Sequence, residues 1–282
     1  MIQTDFSSVL TLMLMTAMIP VARAESGDRP TTIDAFYEQG ARTRIIAHRG
    51  FSAVAPENTV ISIEKAIDLG ADMVEFDVTV SADGHVVVIH DETLNRTTNG
   101  QGSVSSHTLE ELRRLDAGSW FATEFSGEKI PTLDEMLDTT SGRILANIEI
   151  KPEAVENDVS AKVARLVIDK GLVDQVVVSS FSPQALAQMH EIAPEIRTAS
   201  LYKKKIHRGM DPLEITSEVG ASAFNINHRY LNSKMRKSCR ENKIPVAVYT
   251  VNDPRLMRKL IDKGVGAFFT DNPDLLMKVL AE

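Results

Sequence analysis

The chain has a single cysteine, Cys239, among 282 residues, so no intrachain disulfide can form and a thiolate metal cage is excluded. The lone thiol reads as a packed side chain, and a domain of this size needs no staple. There is no basic stripe. Lys and Arg number 31 against 39 Asp and Glu, for a formal net charge of −8, with both signs mixed along the chain. That excludes nucleic acid as the expected partner, and any anion site must concentrate its cations locally. Beyond the N-terminus there is no long apolar run, no low-complexity tract and no linker long enough to split the chain. The one apolar run, 9–20, is too short for a bilayer, which needs about 20 residues. It leads into Val21-Ala22-Arg23-Ala24, an A-x-A cleavage pattern. We therefore expect a signal peptide over 1–24, although its start carries Asp5 and no Lys or Arg. Export to the periplasm or exterior follows, with residues 25–282 as one domain and no transmembrane segment in the mature chain.

What remains is a rhythm of short β-branched runs alternating with helical stretches. Strands are predicted at 44–48, 71–77, 144–151, 175–180, 196–201, 221–226, 244–250 and 266–270. Helices are predicted between them, as at 59–69, where Ile63, Ala66 and Ile67 share a face and Gly70 stops the run. Eight such units suit a (β/α)8 TIM barrel, typically about 250 residues long. An open doubly wound sheet is the rival. The strands begin apolar and several end polar, which favours the barrel, whose chemistry sits on the C-terminal rim.

One segment breaks the rhythm. From Asp77 to His90 there is no helical pattern, and Asp83-Gly84 signals a two-residue hairpin turn. Regular register from that turn pairs Ala82 with His85 and Asp77 with His90. Residues 91–131, rich in Gly, Ser and Thr, then form a small rim insertion after the second barrel strand.

Glu75 and Asp77 are two apart in a strand, so they point the same way, and Glu149 and Lys151 repeat the arrangement. Glu75, Asp77 and Glu149 at one rim would repel one another unless a cation sat among them, and oxygen ligands favour Ca2+ or Mg2+. Salt bridging to Arg49 and Lys151 is the plainer reading of any one pair. His48 and Arg49 end the first strand, and a guanidinium there suits a phosphate's oxygens. With His90 returned to the same rim, two imidazoles beside a metal and two cations form an acid-base pair for cleaving a P–O bond. Asp91 is placed to orient His90. Lys203-Lys204-Lys205 with His207 and Arg208 reads as a solvated loop.

These residues fall into an ordered series: Ala47-His-Arg-Gly50, Pro56-Glu-Asn-Thr59, Glu75-Phe-Asp77, Val88-Ile-His-Asp91, Leu94-Asn-Arg-Thr-Thr98, Asn147-Ile-Glu-Ile-Lys151, Ser179-Ser-Phe181, Thr250-Val-Asn252 and Thr270-Asp-Asn-Pro273. The series resembles the motifs of the glycerophosphodiester phosphodiesterase family over nearly the whole mature chain. The resemblance implies a TIM barrel that hydrolyses small-molecule glycerophosphodiesters to sn-glycerol 3-phosphate and an alcohol. It implies Glu75, Asp77 and Glu149 as ligands of one divalent cation, His48 and His90 as the acid-base pair, and Arg49 and Lys151 as phosphate contacts. Glu57 matches an acidic position near the metal, and Asn58, Phe181, Tyr249 and Asn252 match supporting positions. Tyr249 departs from the Trp that many members carry there, which bears on specificity. Two other readings stay open at this point: a lysophospholipase D-like enzyme, and an exported solute-binding protein.

Overall fold

The computed structural model of the protein describes residues 29–38, 40 and 42–282. The expected leader over 1–24 lies outside the described residues. Among the described residues there are nine strands: β1 (Arg44–His48), β2 (Met73–Val80), β3 (Val86–Val88), β4 (Leu145–Ile150), β5 (Val176–Ser180), β6 (Arg197–Leu201), β7 (Ala223–Asn227), β8 (Val246–Tyr249) and β9 (Ala267–Thr270). Eight of them run parallel and close on themselves, in the order β1-β9-β8-β7-β6-β5-β4-β2 with β2 again bonded to β1. Helices lie between the parallel strands, so the chain is a (β/α)8 barrel and not an open sheet.

The strand period explains how the faces divide. On β2, Val74, Phe76 and Val78 pack outward against the helices, while Met73 joins the interior cluster. Glu75 and Asp77 therefore share the inward face with Met73. Low in the barrel, β6, β7 and β8 contribute only alanine to the buried interior cluster, Ala199, Ala223 and Ala247, and β9 adds Ala267 beneath Phe269. Ile33 and Phe36, from the helix Ile33–Phe36, fill the space this leaves at the N-terminal mouth. Burying each such side chain stabilises the fold by about 1.5–3 kcal/mol. The barrel is thus sealed below and open above. Among the described residues, no helix is long and apolar enough to cross a membrane.

The hairpin forms, but in a different register from the expected one. Val78 pairs with Val88 and Val80 with Val86, so Asp77 lies opposite Ile89, whose N–H donates to the Asp77 carbonyl at 3.0 Å. His90 is not its strand partner. The cause is the turn. Ser81 and His85 close a three-residue loop in which Gly84 takes the left-handed φ of +84°. The Ser81 hydroxyl accepts the His85 N–H at 2.9 Å and donates to the Asp83 carboxylate at 2.6 Å, fixing that wider loop. The strand stops at Val88, so the pleat no longer dictates which way His90 points.

Between β3 and the helix Leu133–Thr140, residues 91–131 hold one short helix, Leu109–Arg114, and two single 3-10 turns. A small apolar cluster of its own anchors this segment on β3, with Leu94, Val104, Leu112 and Ile130 against Val87 and Ile89. One further expectation fails. His207, taken as part of a solvated run, is buried, and its Nδ1 accepts the Lys203 N–H at 3.0 Å inside the turn Lys204–His207.

Candidate active site

Glu75, Asp77 and Glu149 come from adjacent strands, with Asp77 level with Glu149 across the β2–β4 ladder. One oxygen from each lies within 4.8 Å of the others. Burial disfavours charge on all three, and their fates then diverge. At Asp77 the Lys151 ammonium and Arg49 guanidinium outweigh burial and hold the carboxyl down at about 2. At Glu75 and Glu149 burial is joined by the Asp77 charge, pushing them up to about 8 and about 7. The Glu75 Oε1 is buried and has no hydrogen-bond partner. A cluster short of positive charge, with an orphaned oxygen and only hard oxygen donors, fits a divalent cation.

The loop after β1 supplies the next groups. Arg49 and Asn58 are both in the left-handed region, at φ +56° and +59°, a conformation non-glycine residues adopt mainly where surrounding contacts hold them. Gly50 permits a close crossing, since a Cβ there would meet Ser62 at 2.4–2.7 Å. The strained Arg49 aims its own N–H at Glu75 Oε2 (2.9 Å) and its Nη1 at Glu57 Oε1 (2.8 Å), with Nε 3.4 Å from Asp77. Asn58 clamps Asp77 from both ends, donating to Oδ2 at 2.9 Å and accepting the Asp77 N–H at 3.1 Å. Thr59 then caps the helix Val60–Leu69. Lys151 reaches Glu149 at 3.1 Å and Asp77 at 3.4 Å.

Each histidine is held at Nδ1 by an aspartate. His48 lies 2.6 Å from Asp271, and His90 lies 2.7 Å from Asp91. Burial lowers both imidazoles, but at His48 Asp271 and Glu75 reverse the sign and raise it. At His90 burial prevails, aided by Arg49 and Lys151, and the group is lowered despite Asp77 and Asp91. Both rings border a cavity of about 200 Å3 with Arg49, Glu75 and Glu149. Its opposite wall is apolar: Phe181, Leu201, Tyr249 and Phe269. The Phe181 and Tyr249 rings meet edge to face at 5.9 Å, and the Tyr249 hydroxyl donates to the Tyr202 carbonyl at 3.0 Å. A larger hollow of about 440 Å3 lies at the other end of the barrel, without this carboxylate–imidazole set.

Not every expected residue reaches that cavity. Asn252 stands behind it, donating to Asp271 Oδ2 at 2.6 Å and accepting the Asp271 N–H at 2.9 Å. Glu57 is apart from the three carboxylates and lies between two guanidiniums, those of Arg49 and Arg96. Asp271 and Arg96 are residues that sequence reasoning missed, although both sit in motifs quoted above. Barrel closure was the available signal for Asp271: the last strand must lie beside the first, so an acid just past β9 falls next to the histidine ending β1.

Residues 48–275 match the Glycerophosphoryl diester phosphodiesterase family. The chain belongs to that family. The enzyme class comes with it: a hydrolase of phosphoric diesters. A glycerophosphodiester phosphodiesterase of Caldanaerobacter subterraneus subsp. tengcongensis is 35% identical over 243 residues, covering 85% of this chain and 98% of the relative. One from Bacillus subtilis is 34% identical over 290 residues, covering 96% of this chain and 95% of the relative. Among solved structures, an Oleispira antarctica phosphodiesterase in complex with the product sn-glycerol-3-phosphate superposes with a TM-score of 0.80 at 32% identity. The match covers 86% of this chain and 98% of that one.

Proposed function

We propose that the enzyme hydrolyses glycerophosphodiesters to sn-glycerol 3-phosphate and an alcohol, with one divalent cation, Ca2+ or Mg2+, held by Glu75, Asp77 and Glu149. The observation that carries this reading is the convergence of three carboxylates, two buried and one half-buried, one of them with an orphaned oxygen, between two histidines that each rest on an aspartate. The cation would supply Lewis acidity and neutralise charge on the phosphoryl oxygens.

The chain's own residues do the rest. Arg49, which borders the cavity, and Lys151, held behind it on Glu149 and Asp77, offer N–H donors to the phosphate, where low polarity makes each contact count for more. Asp91 and Asp271 occupy the Nδ1 atoms, leaving both Nε2 atoms for proton traffic. One ring takes a proton from the nucleophile, either water or the glycerol hydroxyl whose cyclic phosphate water then opens, and the other gives one to the departing alkoxide. Phe181, Tyr249 and Phe269 shape the apolar wall against which the carbon skeleton of the substrate lies. Release of sn-glycerol 3-phosphate from a panel of diesters and lysolipids, with and without chelator, tests the reading. Turnover of glycerophosphodiesters that chelator abolishes and Ca2+ or Mg2+ restores is the expected result. Indifference to chelator would remove the metal, and turnover of lysolipids alone would replace the substrate class.

A further inference from the structure

Arg96 does not line the cavity, yet its guanidinium is the most heavily bonded group beside it. Nε donates to Asp91 Oδ2 at 2.7 Å and Nη2 to Asp91 Oδ1 at 2.9 Å. Nη1 donates to Glu57 Oε2 at 2.7 Å and Nη2 also to Glu57 Oε1 at 2.8 Å. Two carboxylates are thus each held by both oxygens, and each already serves a residue at the cavity. Asp91 Oδ1 accepts from His90 and Glu57 Oε1 from Arg49. We propose that Arg96 is a positioning residue that fixes His90 and Arg49 relative to each other, through Asp91 and Glu57. The roles of His90 and Arg49 rest on the function proposed above.

The chemistry of the two links requires this residue type. An isolated exposed ion pair contributes little, because water competes for both partners. A planar fork gripped by two carboxylates leaves neither side chain free to rotate, and its value is orientation. Two chain segments meet here: the loop after β1, with Glu57, and the start of the insertion, with Asp91 and Arg96. Since the pleat stops at Val88, Asp91 and its anchor set the ring of His90. The register that leaves His90 unpaired is therefore compensated by a guanidinium six residues further on. Lys at position 96 would keep the charge and lose the fork.

A double-mutant cycle on turnover tests the assignment, using Arg96→Met with Asp91→Asn and with Glu57→Gln, at saturating cation. Removing a buttress of this kind typically costs ~10–100-fold in activity. Arg96→Met should lose that much, and adding Asp91→Asn or Glu57→Gln should cost little more. With Asp271→Asn, which acts on the other histidine, the losses should multiply. Arg96→Lys should recover only a small part of the rate, and it stands in for Arg96→Met if the latter fails to fold. Multiplying losses within the Asp91 and Glu57 pairs, or parental turnover in Arg96→Lys, would overturn the proposal. A parent enzyme that cleaves no diester would instead count against the proposed function. The nitrogen NMR spectrum of His90, which needs no substrate, then decides for Arg96. A single Nδ1-protonated tautomer in the parent that becomes a mixture in Arg96→Met supports the link, and an unchanged spectrum overturns it.

Discussion

His48 and Asp271 meet at 2.6 Å although 223 positions separate them, because β1 and β9 are neighbours in the closed barrel. Asn252 and the Ser52 hydroxyl hold the same carboxylate at 2.6 and 3.2 Å, so the acid is fixed before the imidazole leans on it. Asp271→Asn should preserve the fold and lower kcat ~10–100-fold, the usual cost of losing a partner that orients a working group. Asp271 raises His48, so its neutralisation lowers that imidazole. The limb of the pH–rate profile that reports protonated His48 should move to lower pH. Stopped assays across pH 5–9, with circular dichroism as the fold control, check both (about 1.4 kcal/mol would accompany each pH unit moved).

The proposed metal site predicts a second pH effect. Glu75 and Glu149 stand near 8 and 7 in the folded protein, against 4.5 for a free glutamate. In the window from about 4.5 to about 8 the cation-free folded state keeps protons that the unfolded chain has released. Raising the pH through that window therefore reduces the stability of the cation-free protein. Cation binding must expel those protons, so affinity should climb with pH and level off above about 8. Thermal unfolding at pH 6 and pH 8, with chelator and with excess Ca2+ or Mg2+, should show a larger cation-induced rise in Tm at pH 8. Glu75→Gln removes one of the two proton-holding groups, so its cation-free Tm should depend less on pH while turnover is lost. An equal cation effect at both pH values would show that the triad is not the ion's site.

The seal at the lower mouth gives a stability prediction separate from chemistry. Phe36 is 3% exposed, within the layer where three strands supply only alanine. Phe36→Ala should cost ~3–5 kcal/mol, since truncating a buried aromatic leaves a cavity its neighbours fill only in part. Urea unfolding measures the loss. The folded fraction should retain kcat within about threefold, because none of the carboxylates, imidazoles or cationic groups of the rim belongs to this layer, which meets the cavity through Tyr249 and Phe269 of its apolar wall.

Much of the fold was legible because it is periodic. Parity along β2 alone placed Glu75 and Asp77 on one face, and the polar ends of the strands marked the rim. The hydrophobic pattern ended the second strand at Asp77, whereas it runs on to Val80 because Val78 and Val80 find partners on β3. The hairpin register was misread by one residue. Asp83-Gly84 is compatible with either a two- or a three-residue loop, and the Ser81 hydroxyl selects the wider one. Asp271 and Arg96 were not legible as site residues for a different reason: each acts on a partner brought near by the fold. His207 was hidden by the three lysines before it, whose charge says nothing of a ring tucked beneath them.

Closure of the ring between β1 and β9 also governs when the protein can begin to act. A growing chain that has made β1, β2 and β4 already possesses the carboxylates, both histidines and both cationic side chains. It still lacks the aspartate that steadies the first histidine, which arrives only with residue 271 of 282. On the proposed function, competence for hydrolysis would coincide with completion of the barrel. A nascent or truncated chain would be chemically quiet, and catalysis would report the last step of folding.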